Sequence, residues 1–228
     1  MPCAGLAYID GVETQAREPS RTFAAFAATL AWAVLATQLV LSLTFAPVYD
    51  ATRLQAVVNF FSYFTVLINL LAAIAFTSRL QRANTRAYQV FTDPRIDTAI
   101  ASYITIVGIV YSLLLRSAWE PSGLQRIVDV ALHDVMPIIY IVYWVLFVRH
   151  GTVRWGEPLR WLIVPLVYVV YTLLRGALTS WYPYDFLDAN ALGVGAVLRI
   201  SIGLTVAFWL VGMAFVALDH WLSRRPFA

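Results

Sequence analysis

The chain has 228 residues, 61% of them hydrophobic and 13% charged, with a mean hydropathy of +0.72 and a net charge of +3. Soluble domains carry about 25% charge and about 45–50% apolar residues, so a water-soluble globule is excluded and lipid must solvate most of this surface. All 16 basic residues are arginines at the ends of apolar runs, a pattern of membrane orientation and not of nucleic-acid binding; the single cysteine, Cys3, excludes an internal disulfide and a multi-cysteine metal site.

The first apolar run extends from Phe23 to Phe45 and is closed by Pro47. It exceeds a secretory h-region, is followed by no A-x-A site and comes after Asp10, Glu13 and Glu18, so it reads as a retained span and not a signal peptide. Further runs cover Val57–Phe76, Thr98–Leu115, Val128–Val148, Trp161–Leu174 and Ala196–Leu218. Runs of this length without alternation form helices, because hydrocarbon tolerates only helices or a closed barrel. The expected fold is all-α: a polytopic bundle of about six transmembrane helices in one domain over 1–228, preceded by a short cytoplasmic segment, 1–21.

Orientation follows from the arginines. One side holds Arg17, Arg21, Arg79, Arg82, Arg86, Arg95, Arg149, Arg154, Arg160, Arg224 and Arg225; the other holds Arg53, Arg116, Arg126, Arg175 and Arg199. The larger group belongs inside, which places both termini in the cytoplasm. Trp119, Trp155, Trp161, Trp181 and Trp221 fall near span ends, where interfacial anchors are expected.

Polar side chains within spans carry the functional information, since each is costly in lipid. The second span holds Asn59, Ser62, Thr65 and Asn69, and spacings of three and four put Ser62, Thr65 and Asn69 on one helical face. Such residues either glue helices together or perform chemistry. The fourth span carries Asp129, His133 and Asp134, with Pro137, Tyr140 and Trp144 on the histidine's stripe. His133 is the histidine well inside a span, fit either to bond a neighbouring helix or to act as a general base. One intramembrane histidine is too few for bis-histidine haem, and His133, Asp129 and Asp134 are a thin zinc set. Ion transport has little to work with beyond Asp134 and Asp129. Between the fifth and sixth spans runs Trp181-Tyr182-Pro183-Tyr184-Asp185-Phe186-Leu187-Asp188, either an interfacial aromatic turn, the favoured reading, or a lid over an outward-opening site.

The stretch from Phe60 through Ser62, Thr65 and Asn69 to Leu71 resembles the second helix of the androgen-induced, androgen-dependent group of integral membrane proteins. So does Leu132-His133-Asp134-Val135-Met136-Pro137 with Tyr143 to Phe147. Trp161–Tyr168, Arg175-Gly176 and Tyr182–Asp188 resemble its bacterial branch, and the tyrosine-proline-tyrosine segment is the most specific part. The resemblance covers the first span to the sixth. One departure is Tyr143, which stands where the bacterial pattern often has an acid.

The resemblance implies a six-helix hydrolase of fatty acid esters of hydroxy fatty acids, or of a similar lipid ester, in the bacterial cytoplasmic membrane. Its threonine nucleophile falls on Thr65 and its histidine on His133. The partners implied are membrane lipid and an acyl-chain ester, and neither metal nor cofactor is required. A threonine hydroxyl needs an adjacent base, and Thr65 and His133 lie about 12 Å and about 8 Å into their spans. Tilts of about 20° bring them together. Asp129 is placed to orient the imidazole and Asn69 to donate to an oxyanion, with Ser62 and Asp134 as further supporting candidates. The alternative is a non-catalytic lipid-binding or transport protein in which Thr65 and His133 join helices.

Overall fold

A computed structural model describes residues 21–81, 84–118 and 120–224. The expected N-terminal segment, with Cys3 and Arg17, therefore lies outside the described residues except for Arg21, as do Arg82, Trp119 and Arg225. The helices, in chain order, are α1 (Arg21–Phe45), α2 (Arg53–Phe60), α3 (Phe64–Ser78), α4 (Arg86–Phe91), α5 (Pro94–Val110) and α6 (Gly123–Val130). They continue with α7 (Met136–Phe147), α8 (Glu157–Trp161), α9 (Ile163–Thr179), α10 (Ala189–Leu192) and α11 (Val194–Leu222). No strand occurs among the described residues.

Five continuous segments are long and apolar enough to cross a membrane: Arg21–Tyr49, Pro94–Leu115, Gly123–Phe147, Glu157–Thr179 and Val194–Leu222. Taken together, α2 and α3 are also long and apolar enough, which brings the number of segments able to cross to six if the bent pair is one span. The helices overrun the apolar stretches because their caps lie beyond the hydrocarbon. Thr52 and Gln55 form a capping box at the start of α2, and Asp93 caps α5 with Pro94 in its first turn.

The second span departs from the continuous helix expected over Val57–Phe76. It is bent by 70° between α2 and α3. Neither proline nor glycine occurs at the break, so local propensity does not explain it. The Ser62 hydroxyl donates to the Val58 carbonyl, and the Tyr168 hydroxyl donates to the Ser62 carbonyl at 2.9 Å. Backbone groups freed in an apolar medium must find partners, and here a tyrosine from another helix supplies one. As a result Ser62 does not share a helical face with Thr65, which becomes the second residue of α3.

Two further irregularities face each other. Residues Tyr111–Leu115 and Ala131–Val135 are π-helical, joining α5 to its loop and α6 to α7. In the second, Pro137 lacks an N–H for the carbonyl of His133, which loosens the turn around the histidine. Gly108 lets α5 approach this bulge: a Cβ there would sit 3.0 Å from the His133 carbonyl oxygen.

α5 is the central helix, packed against α3, α7 and α11, while α1 covers α3. A buried ion pair between Arg79 and Asp97 ties α3 to α5, with Tyr140 donating to Asp97 at 3.0 Å. The Arg79 guanidinium also donates to the Tyr143 hydroxyl and lies 4.6 Å from that ring, so the residue that departs from the acidic pattern serves this cation. Of the expected tryptophan anchors, Trp155 and Trp221 are exposed. Trp161 is not an interfacial anchor: it is buried in the core, and its carbonyl accepts from Tyr103.

Loops 46–52 and 180–188 border one large cavity and so share one end of the bundle, while Arg21 reaches Leu80 and Gly151 lies against Ser223 at the other. The arginine excess at that second end predicts that a reporter fused after Ala228 reads as cytoplasmic. A periplasmic reading would invert the topology.

Candidate active site

The break in the second span and the bulge in the fourth meet. Thr65 Oγ1 lies 3.3 Å from His133 Nε2. Thr65 is 8% exposed, inside the bundle and not on its lipid face. The imidazole is fixed on its other side, where Nδ1 donates to the Asp129 main-chain carbonyl at 2.9 Å and lies 3.3 Å from the Asp129 carboxylate. A proton on Nδ1 leaves Nε2 as an acceptor facing the threonine hydroxyl, the tautomer a general base requires. Tyr111 completes the support. Its ring stacks on the imidazole at 3.9 Å and 14°, and its hydroxyl donates to Asp129 Oδ2.

Tyr184 reaches the threonine from the aromatic segment. The Thr65 N–H donates to its hydroxyl at 3.3 Å, and Thr65 Oγ1 lies 3.4 Å from the same oxygen. Thr65 is in the first turn of α3, where backbone N–H groups lack helical acceptors and the helix dipole is positive. Desolvation pushes the Tyr184 phenol above its ordinary range, so at neutral pH it is a neutral donor. The segment is anchored by Tyr182, whose ring occupies the space a Cβ on Gly176 would take. It is thus no simple interfacial turn: Tyr63 packs edge-on against both Trp181 and Tyr184, and Tyr184 stacks on Phe186.

Of the other expected residues, Asp129 is in place and three are not. Asn69 is not an oxyanion donor, because its amide N–H groups are aimed at the carbonyls of Thr65 (2.9 Å) and Leu132 (3.3 Å). What remains is the amide oxygen, which would repel an oxyanion. Asn69 instead bridges the two irregular segments. Asp134 turns away from His133 to pair with Arg116. Ser62 is fully buried, and its hydroxyl is taken by the Val58 carbonyl and by Tyr171 at 2.7 Å; it shapes the break and makes no contact with the histidine. Tyr111, Tyr168 and Tyr184 were not singled out by sequence. For Tyr184 a signal existed in the aromatic run around Pro183, and for Tyr168 and Tyr111 there was none.

Two cavities border this site. A narrow one of about 60 Å³ runs among Phe64, Val107, Pro165, Leu204 and Phe208. A larger one of about 950 Å³ opens beside Gln38, Asn59, Ser122, Gln125 and Trp181. Thr65, Tyr111, Leu115 and Tyr184 border both. The hydroxyl therefore stands at the junction of an apolar slot and a roomier, more polar chamber. Among the described residues, no three His, Cys, Asp or Glu side chains converge as metal ligands. No protein-family model, curated protein or solved structure matches this chain.

Proposed function

We propose that the protein is an intramembrane hydrolase of lipid esters, working through Thr65 as nucleophile and His133 as base. The observation that carries this is the 3.3 Å approach of Thr65 Oγ1 to His133 Nε2, with Nδ1 held on Asp129. An unactivated threonine is a poor nucleophile, and a neighbouring oriented base is the device that activates it. Thr65 Oγ1 attacks the ester carbonyl carbon as its proton passes to Nε2. The tetrahedral intermediate collapses, the bond to the alcohol oxygen breaks, and the alcohol leaves with that proton. Water then attacks the acyl-threonine, giving a proton to Nε2, and the free acid departs as the proton returns to Oγ1.

The Tyr184 hydroxyl, which accepts from the Thr65 N–H, is the donor beside the developing oxyanion. The narrow slot, at about 60 Å³, has room for only the first few carbons of an acyl chain, and the larger chamber suits the alcohol part. Fatty acid esters of hydroxy fatty acids, and related branched esters, have that two-armed shape. The chemistry needs neither metal nor cofactor, and the bacterial cytoplasmic membrane is its proposed location.

Purified protein in detergent is expected to release free fatty acid from a branched lipid ester, at an unchanged rate after chelation. Loss of activity on chelation would instead require a metal. Binding of every ester in a panel, with turnover of none, would establish the lipid-binding alternative.

A further inference from the structure

Among the described residues, Arg79, Arg95, Arg116 and Arg160 each pair with a carboxylate. Arg175, four residues before the end of α9, is among the arginines with no described carboxylate within ion-pair distance. It is only partly exposed. Its Nη2 donates to Asn59 Oδ1 at 2.6 Å, and its guanidinium lies 4.2 Å from the Trp181 ring. Its Nη1 is buried and has no hydrogen-bond acceptor. Asn59 and Trp181 orient this cation without neutralising it; both line the larger chamber, and Arg175 reaches it through them and does not border it itself. The acids on that lining are otherwise placed. Asp129 is held by Tyr111, while Glu120 and Asp185 are exposed and form no ion pair with Arg175.

A partly exposed guanidinium with its Nη1 buried and unsatisfied favours a bound oxyanion over an empty site. We infer that Arg175 is an anion-recognition residue, holding the carboxylate or phosphate of an amphiphile whose apolar part occupies the larger chamber. This deepens the hydrolase proposal, since that chamber is the one assigned to the alcohol part of the ester. Arg175 stands seven residues along α9 from Tyr168, which borders the slot beside Thr65. That separation is about 10 Å along the helix. A substrate whose charged group lies about that far from its ester would be fixed at both points, its carbonyl delivered to the threonine.

The test is direct binding, without turnover, of ricinoleate and of its uncharged methyl ester to the full chain in phosphatidylcholine nanodiscs. Wild-type protein is expected to bind the carboxylate about tenfold more tightly. Arg175→Gln should bring the two affinities together and leave that of the methyl ester unchanged, whereas Arg175→Lys, which keeps the charge and serves if the glutamine variant does not fold, should retain a reduced preference. Displacement of ricinoleate by added phosphatidylglycerol assigns the site to a headgroup phosphate, and failure to displace it assigns a free carboxylate. Equal affinities in the wild type, or a preference that survives Arg175→Gln, overturns the inference. Because binding is read without catalysis, that failure is distinct from an absence of ester hydrolysis.

Discussion

Thr65→Ala is expected to lower ester hydrolysis by about a thousandfold or more while the protein stays folded. The two halves of this expectation have separate physical grounds. The hydroxyl is the atom that forms the covalent intermediate, and nothing nearby can replace it: Ser62 Oγ is committed to Val58 and Tyr171. Stability changes little because one buried hydroxyl contributes about 1 kcal/mol, and the Thr65 backbone still donates to Tyr184 and accepts from Asn69. Thr65→Ser keeps the nucleophile, loses a methyl and should retain part of the activity. A hydroxyl-directed phosphonate should label wild-type protein and not the alanine variant. Full hydrolysis by Thr65→Ala would return the residue to a role in joining helices.

The membrane class and the positions of the spans were legible in the sequence because hydropathy over about 20 residues is a strong signal. Thr65 and His133 were legible for a related reason. A hydroxyl and an imidazole inside apolar runs are costly enough to stand out, and the structure brings them together. The bend between α2 and α3 was not legible. Phe61-Ser62-Tyr63 contains no helix breaker, and the bend is sustained by Tyr168 and Tyr184, which lie more than a hundred residues away in sequence. The same cause misplaced Asn69. On a continuous helix it looked free to donate, but its amide is spent across the interface on Leu132.

Tyrosine hides its role in a membrane sequence. It is common at interfaces and packs well in apolar surroundings, so Tyr111 gave no pattern of its own, and Tyr184 stood out only as part of the aromatic run around Pro183. Their contributions depend on tertiary placement: one ring laid on an imidazole, one hydroxyl brought to a helix N-terminus. Asp134 shows the converse. It is adjacent in sequence to His133 and more conspicuous than Tyr111, yet successive residues on a helix point in different directions, and its carboxylate goes to Arg116.

His133→Ala is expected to reduce hydrolysis by about a hundredfold to ten-thousandfold, since removing a general base costs most where the nucleophile is weak. The imidazole serves both chemical steps, so its loss should slow formation of the acyl-threonine as well as its breakdown. Phosphonate labelling of Thr65 should therefore slow in parallel with turnover, although the hydroxyl itself is intact. Two milder variants separate the base from its supports. Asp129→Asn keeps the main-chain acceptor of Nδ1 and removes the carboxylate, and Tyr111→Phe keeps the stacked ring and removes the bond to Asp129. Each should cost less than His133→Ala. In a His133→Ala double with either, the second change should add little, because a residue that acts only by positioning the imidazole has nothing left to position. Full additivity would mean that Asp129 and Tyr111 act on substrate directly, and unchanged labelling in His133→Ala would remove the histidine from the attacking step.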